Sequence, residues 1–571
     1  VADVSWSSVL VVLAVIGAIV LYYRWWRSVV ILLPPLLVAT VYSFGLASLP
    51  PFHVEAVNSN TAFLASIIVG NGINFGLVLL SRYVEERRAG VDVRESLVRA
   101  VEGSRAGTLA AAGAASVSYA ALAITQFRGF RQFGYIGGLG MLLAWGASFV
   151  LMPSLIVWLD TGESTRPGTI PERRRFSRWV ASAVAAAPRA ILVLSGALTV
   201  VAALAIGRFR ASDLESDFSR LRRRDTWTSG EGYWGDRMNS VLGEYLTPLA
   251  FLADRPEDAN AVARALRARL GEAPFAGRID SVRTVDDVLP GEQREKLAEL
   301  AAIRRDLTPA VRAALGAEAQ RYVDKLLAAD LRPLTFDDLP HTFTLGLREH
   351  DGTLGRVALV YPNPGGVWWD AQAMATFVDA LRALSRDASA PGHAPLLAGS
   401  IPLSSDIVQA IRHDGPLASG AAFIGVVLAV LVMLRSRRRS AYVIGALLVG
   451  VAWMAGASHL LGIRINFANF IAFPITFGVG VDYAVNLMSR YERDGSSDIL
   501  GAIRSTGAAV ALCSLTTIIG YSSLLLAKNQ ALFLFGFLAV LGEVSCLSVA
   551  LVALPAVVLA RQRRGASRAG A

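Results

Sequence analysis

Long apolar runs separated by short basic loops dominate this chain. Runs such as 28–49 and 133–159 reach or exceed the roughly 20 residues that a helix needs to cross about 30 Å of hydrocarbon, so they predict transmembrane helices. Candidate spans fall near 8–23, 28–49, 61–81, 105–124 and 133–159, then 190–207, then 416–434, 441–461, 470–489, 507–526 and 531–560, eleven in all. The grouping is five, one and five.

Between the single span and the second group the pattern changes to short alternating and amphipathic stretches. Residues 247–253 predict a strand, 256–270 an amphipathic helix, 279–284 a strand, and 291–329 a helical insertion. A hairpin follows, pairing 342–348 with 356–361 around Asp351-Gly352, then a helix near 370–386 and a strand near 395–401. Apart from the insertion and one extra strand, this is the split βαβ order of ferredoxin-like folds. The expected architecture is a membrane all-α bundle of about eleven helices plus an α+β ferredoxin-like domain. The expected segments are a five-span repeat at 1–160, a basic linker at 161–189, a span at 190–207, the α+β domain at 208–415, a second five-span repeat at 416–560 and a basic tail at 561–571.

The chain matches itself. Gly70-Asn71-Gly72-Ile73-Asn74-Phe75, followed by Ser81-Arg82-Tyr83, aligns with Gly478-Val479-Gly480-Val481-Asp482-Tyr483, followed by Ser489-Arg490-Tyr491, at an offset of 408. After a loop that differs by six residues, Tyr119 aligns with Tyr521, Phe133-Gly134 with Phe535-Gly536, and Gly140 with Gly542, at an offset of 402. Both copies run in the same topological direction, which makes this a parallel repeat about an axis along the membrane normal.

Composition supports the same picture. The chain is 54% hydrophobic and 18% charged over 571 residues, too few charges to cover a soluble protein of this size. The net charge of +10 raises a nucleic-acid reading, but the basic residues sit in the short loops between spans. Six segments (24–27, 82–105, 166–189, 435–439, 490–504 and the tail from Arg561) hold twenty-five of them. Arg128, Arg131, Arg464 and Lys528 are the four in the short loops opposite. The first set is therefore expected in the cytoplasm, with the C-terminus, and the domain at 208–415 outside it. An N-terminus on the outer side with no cleavable signal ahead of Trp6, together with the repeat symmetry, predicts a further span and domain upstream of Val1. Cys513 and Cys546 both lie in apolar runs and read as small core residues rather than as metal ligands.

Chemistry concentrates in two intramembrane carboxylates, Asp482 and Glu543. Burying such a group costs several kcal/mol unless it is paired, neutral or facing water, so each is a functional candidate. Gly478, Asp482, Val485 and Ser489 share one helical face, and the small residues there admit a close neighbouring helix. Tyr483 supplies a hydroxyl beside Asp482. Ser514, Thr516 and Thr517 supply hydroxyls that would either bond the carboxylate, carry protons through water, or join helices. Glu543 is either a second titrating site or a structural acid kept neutral by desolvation, the latter slightly favoured. Asn74 and Phe75 match Asp482 and Tyr483 in the first copy, so a relay would be asymmetric, with Asn74 as a fixed hydrogen-bonding partner. In the soluble region His341, His350 and His393 lack metal spacing, and Ser400, Ser404 and Ser405 lack a nucleophile-elbow context. Val367-Trp368-Trp369 would either meet lipidic cargo or pack into the domain core.

The stretch Phe473-Pro474-Ile475-Thr476-Phe477-Gly478-Val479-Gly480-Val481-Asp482-Tyr483 resembles the Gly-x-Gly-x-Asp-Tyr signature of MMPL-type exporters of the resistance-nodulation-division superfamily. The order of five spans, one span, a domain and five spans is similar to that family from its second span to its C-terminus. The resemblance implies a proton-gradient-driven exporter of lipids or other hydrophobic molecules in a bacterial inner membrane, with a periplasmic porter domain and no cofactor. Membrane lipids, a second copy of the chain or a periplasmic protein are the candidate partners. On that resemblance Asp482 and Tyr483 match the proton-coupling pair, Thr516 and Thr517 match only by position, and Gly70, Gly72, Gly478 and Gly480 form the helix-packing motif. Asn74-Phe75 departs from a second Asp-Tyr pair. A non-transporting membrane scaffold or lipid sensor is the alternative; an enzyme acting on lipids lacks a credible nucleophile or metal cluster.

Overall fold

The computed structural model describes residues 2–56, 64–160, 174–210, 213–215, 217–364, 368, 370–434, 436–466, 468–493 and 498–569. Among them, ten helices are long and apolar enough to cross a membrane: Arg27–Ser48, Leu64–Arg88, Val93–Ile124, Arg128–Leu159, Pro188–Gly207, Ser400–Met433, Arg437–Leu460, Asn469–Arg493, Ile499–Leu526 and Gln530–Arg563. The helix Ala2–Tyr23 adds a shorter apolar stretch, Leu10–Tyr23. The chain is a multi-pass membrane protein, and its outward apolar side chains suit lipid. Val193 and Val432 are 74% and 76% exposed, an arrangement that water would penalise.

The chain divides into two compact units, one of residues 1–225 with 407–571 and one of Thr226–Asp406. In the first, the repeat is visible in the backbone itself. The helices Val93–Ala120 and Ile499–Ser522 each end in a four-residue 3-10 turn, Ala121–Ile124 and Ser523–Leu526, and the next helices begin at Arg128 and Gln530. The helix ends, the turns and the next helix starts all differ by 402. The matched ring pairs Tyr119–Phe133 and Tyr521–Phe535 have centroids 6.0 and 6.1 Å apart.

Several helices outrun their hydrophobic signal. Val93–Ala120 begins well before 105 because Asp92 caps it, accepting from the Arg94 amide at 3.1 Å. Asp498 does the same for Ile499–Ser522, accepting from Gly501 at 2.8 Å. The last span passes through a π-helical turn, Val549–Ala553, just before Pro555, where the wider turn accommodates a ring with no N–H to donate. Within the basic segment, Arg174–Ala186 is an amphipathic helix that buries Val180, Ala181 and Val184 and packs on Ile499–Ser522. Residues 161–173 lie outside the described residues.

The second unit holds a four-stranded antiparallel sheet: β1 (Leu249–Leu252), β2 (Ile279–Thr284), β3 (Val357–Pro362) and β4 (Leu396–Ala398), in the order β2-β3-β1-β4. Phe251 pairs with Ala358 on one side and Leu397 on the other, and Val282 pairs with Val360. The helix Pro256–Ala268 joins β1 to β2, and Ala371–Ala388 joins β3 to β4. Their apolar stripes, Val262 and Leu266 on one, Phe377 and Leu381 on the other, are buried, as is Phe251. The insertion forms three helices, Gln293–Asp306, Pro309–Ala313 and Ala317–Ala328, none with a buried residue.

The hairpin is a correction. Residues 341–347 are helical, as the short turns His341–Thr344 and Leu345–Leu347, and only Arg348 bridges to Leu354. Leu347 fills a cluster with Val285 and Val357, so tertiary burial of that side chain overrides the weak alternation. The Asp351-Gly352 turn survives, with Gly352 at φ +90°. Trp368 is a core residue: its indole donates to the Asn363 carbonyl at 3.0 Å and its ring meets Phe377 edge-on at 5.1 Å. Residues 367 and 369 lie outside the described residues.

Candidate functional site

Two repeat-matched helices form the middle of the bundle. Leu64–Arg88, which carries Asn74, and Asn469–Arg493, which carries Asp482, are enclosed over 78% and 83% of their apolar windows, more than any other span. The Asn74 helix packs on Ile499–Ser522 of the second repeat, and the Asp482 helix packs on Val93–Ala120 of the first.

Glycines make these approaches possible. A methyl added to Gly70 would lie 3.6 Å from the Gly520 Cα, and one added to Gly478 would lie 2.8 Å from the Ala115 Cα and 2.9 Å from the Ser118 Cβ. Gly520 and Ser118 are themselves repeat mates, so the first glycine of each motif faces across to the other repeat. The second glycine faces its own repeat. A methyl at Gly72 would meet Ala144 Cβ at 2.8 Å, and one at Gly480 would meet the sulfur of Cys546 at 2.6 Å. Ala144 and Cys546 again differ by 402.

Asp482 is 5% exposed and lies within this packed centre. Asn486, one turn along the same helix, donates its amide N–H to Asp482 Oδ1, and Asn74 of the other repeat lies beside the carboxylate. Among the described residues no cation pairs with it. Two amides are versatile neighbours for an acid, since each offers N–H groups to a carboxylate and a carbonyl to a neutral carboxyl O–H. Asn486 is absent from the sequence-derived candidates although its spacing of four from Asp482 carried the signal.

Thr516 and Thr517 reach Asn74, not Asp482. The Thr516 hydroxyl donates to the Cys513 carbonyl at 2.8 Å, and its oxygen lies 3.5 Å from Asn74 Oδ1. Thr517 Oγ1 donates to the Gly70 carbonyl at 3.2 Å and accepts from Asn74 Nδ2 at 3.4 Å. The Gly70–Gly520 contact holds their helix on the Asn74 side, so any link from these hydroxyls to the acid passes through an amide. The Tyr483 hydroxyl likewise turns from Asp482 and donates to Glu543, which is 3% exposed. A second polar knot was not legible in advance: Asn71 Nδ2 donates to both Tyr119 and Tyr521, each at 3.0 Å, tying the repeat-matched tyrosines together.

The polar set belongs to one repeat. The first-copy counterparts of Tyr483, Asn486, Ser514, Thr516, Thr517 and Glu543 are Phe75, Val78, Ala112, Ala114, Ala115 and Met141. The scaffold is doubled, and the acids are not.

Replacing Tyr483 by phenylalanine strips Glu543 of its buried donor, at a cost of about 1–3 kcal/mol. Thermal unfolding of the detergent-solubilised chain measures this. A cycle with Glu543→Gln is expected to show a coupling of about 1 kcal/mol or more; additive effects would mean the two groups do not interact.

A model of the MMPL family matches residues 3–191 and 334–569, which include the Gly-x-Gly-x-Asp-Tyr helix. The chain belongs to the MMPL family. This MMPL chain is similar to the hopanoid transporter HpnN of Rhodopseudomonas palustris, with 24% identity over 88% of the chain and 61% of the relative. It is also similar to HpnN of Burkholderia multivorans, with 24% identity over 92% of the chain and 63% of the relative. It thus spans about three fifths of the length of these relatives. Its fold is similar to that of SecDF, a translocon-associated membrane protein from Thermus, with a TM-score of 0.57 and 14% identity over 99% of this chain and 62% of that one.

Proposed function

We propose that this MMPL chain is the working part of a proton-driven exporter of lipids or other hydrophobic molecules in a bacterial inner membrane. The observation that carries the reading is Asp482, buried between the two repeats, held by Asn486 on its own helix and faced by Asn74 of the other repeat. Gaining a proton removes a charge from the bundle interior, so the two protonation states favour different packings of the repeats, and a proton gradient biases them in turn. The hopanoid transporters named above support a lipid cargo. No cofactor enters; the gradient is the energy source.

In this reading the arginine-rich loops and the C-terminus lie in the cytoplasm and the soluble domain lies in the periplasm, as the charge distribution favours. The strand order β2-β3-β1-β4 with a helix in each crossover supports a ferredoxin-like porter domain there, framed by segments near 208 and 415. Asn74 serves as the amide neighbour of Asp482 from the other repeat, Thr516 and Thr517 act on the acid through Asn74, and Glu543 is the acid that fixes Tyr483. A periplasmic protein or a second copy of the chain completes the export path.

One observation favours a second reading, a non-transporting scaffold or lipid sensor: the first repeat keeps the glycines but has Asn74 and Met141 where the second has Asp482 and Glu543. Export of a fluorescent lipid from proteoliposomes separates the two. Collapse of export on adding an uncoupler is the expected result. Export indifferent to the uncoupler would remove the proton-driven reading.

A further inference from the structure

A cavity of about 160 Å³ opens at the arginine-rich end of the bundle. Its wall draws on both repeats: Arg82, Glu85 and Arg88 from the Asn74 helix, Arg490 and Arg493 from the Asp482 helix, and Arg504 from the helix behind it. Among the described residues its lining carries five guanidinium groups and one carboxylate, Glu85, and Arg82 also pairs with Glu86 at 3.6 Å. Glu85 is already shared, accepting from Arg82 at 2.9 Å and from Arg490 at 3.4 Å. The groups also converge. A methyl added to Gly103 would sit 2.6 Å from Arg493 Nη1 and 3.4 Å from Arg82 Nε, and that Nε is buried without a hydrogen-bond acceptor.

Like charges gathered in a partly enclosed space repel, and the repulsion is stronger than in open water. Planar guanidinium forks fit the oxygens of a phosphoryl group, which can accept from several at once. At its inner end the cavity reaches Asn486, the residue that holds Asp482.

We propose that this cavity binds a phosphoryl anion, which clamps the arginine-rich ends of the two repeats together on the far side of Asn486 from Asp482. The chemistry is shared by the headgroup of an anionic phospholipid and by free phosphate. Because the clamp draws on Leu64–Arg88 of one repeat and Ala472–Arg493 of the other, its occupant stabilises the packing seen here against any arrangement that separates them. This inference does not depend on the transport reading, and its test reads binding alone.

The full chain, purified in neutral detergent, is titrated with radiolabelled inorganic phosphate. In parallel it is placed in nanodiscs of phosphatidylglycerol or phosphatidylcholine, and the lipid retained after delipidation is counted by native mass spectrometry. Saturable binding of phosphate, selective retention of phosphatidylglycerol, or both, is expected. The first alone identifies the free ion as the guest and the second alone the headgroup. Arg490→Gln with Arg493→Gln is expected to weaken the binding about tenfold, and the lysine pair at the same positions to restore part of it. Gly103→Leu, which fills the cavity without removing charge, is expected to abolish binding and decides the matter if the glutamine pair fails to fold. Neither probe binding, or undiminished binding in Gly103→Leu or in a folded glutamine pair, would overturn the proposal.

Discussion

Asp482→Asn is expected to reduce export to about a hundredth or less while the protein still inserts, folds and melts at or above the wild-type temperature. The two halves of that result come from one cause. An amide has nearly the shape of a carboxyl group and can be held by the same Asn486 partner, but it has no proton to exchange over the accessible pH range. Placing a charged acid at the centre of a membrane helix costs about 3 kcal/mol on insertion scales, so removing the ionisable group relieves a cost and leaves stability intact. Loss of function with retained stability separates a working acid from a structural one, whose removal lowers both together. The measurement is uncoupler-sensitive lipid export from proteoliposomes beside a melting curve in the same detergent. Normal export by the asparagine variant would end the proposed mechanism, whatever its melting temperature.

The second large effect concerns packing and distinguishes two glycines that the repeat makes equivalent. Gly478→Ala is expected to destabilise the bundle by about 1–3 kcal/mol, the usual range for overpacking a close contact. Its new methyl would meet backbone, the Ala115 Cα at 2.8 Å, and backbone cannot rotate away. Gly70→Ala faces Gly520 Cα at 3.6 Å, an ordinary van der Waals distance. Alanine also favours the helical state over glycine by about 1 kcal/mol, so this variant is expected to be neutral or slightly stabilised. Thermal unfolding of both proteins in one detergent gives the comparison. Equal melting temperatures would mean that the two inter-repeat contacts are equally tight, contrary to the distances.

The asymmetry of tightness runs with the asymmetry of chemistry. Where the Asp482 helix crosses Val93–Ala120, the opposing residues are Ala115 and Ser118, and Ser118 Oγ donates to the Pro474 carbonyl. Where the Asn74 helix crosses Ile499–Ser522, the opposing residues are Thr516, Thr517 and Gly520, which leave slightly more room and line it with hydroxyls. The looser crossing is the one lined by the two threonine hydroxyls. A bundle built this way has one crossing suited to hold and one suited to adjust.

Much of this architecture could be read from the chain. Twenty-residue apolar runs can satisfy their backbone in hydrocarbon only as helices, so length and hydropathy give the spans directly. The repeat could be read because Gly-x-Gly and the Tyr-Phe-Gly positions recur at fixed offsets, and identical local sequences in identical topology build identical turns. The buried acid could be read because a carboxylate in an apolar run has few tolerable environments. The strand expected at 342–348 was lost because alternation over seven residues is a weak signal beside the burial of one leucine.

What the sequence by itself determined is the set of helices, their pairing into two copies and the presence of an acid in the second copy, since each follows from short-range pattern and solvation. Only the tertiary structure decided who meets whom. It sent Thr516 and Thr517 to Asn74 rather than to Asp482, turned Tyr483 toward Glu543, and gathered arginines hundreds of residues apart around Gly103. Those choices depend on which ridges fit which grooves between helices far apart in the chain, and shape complementarity of that kind leaves no local periodicity to read.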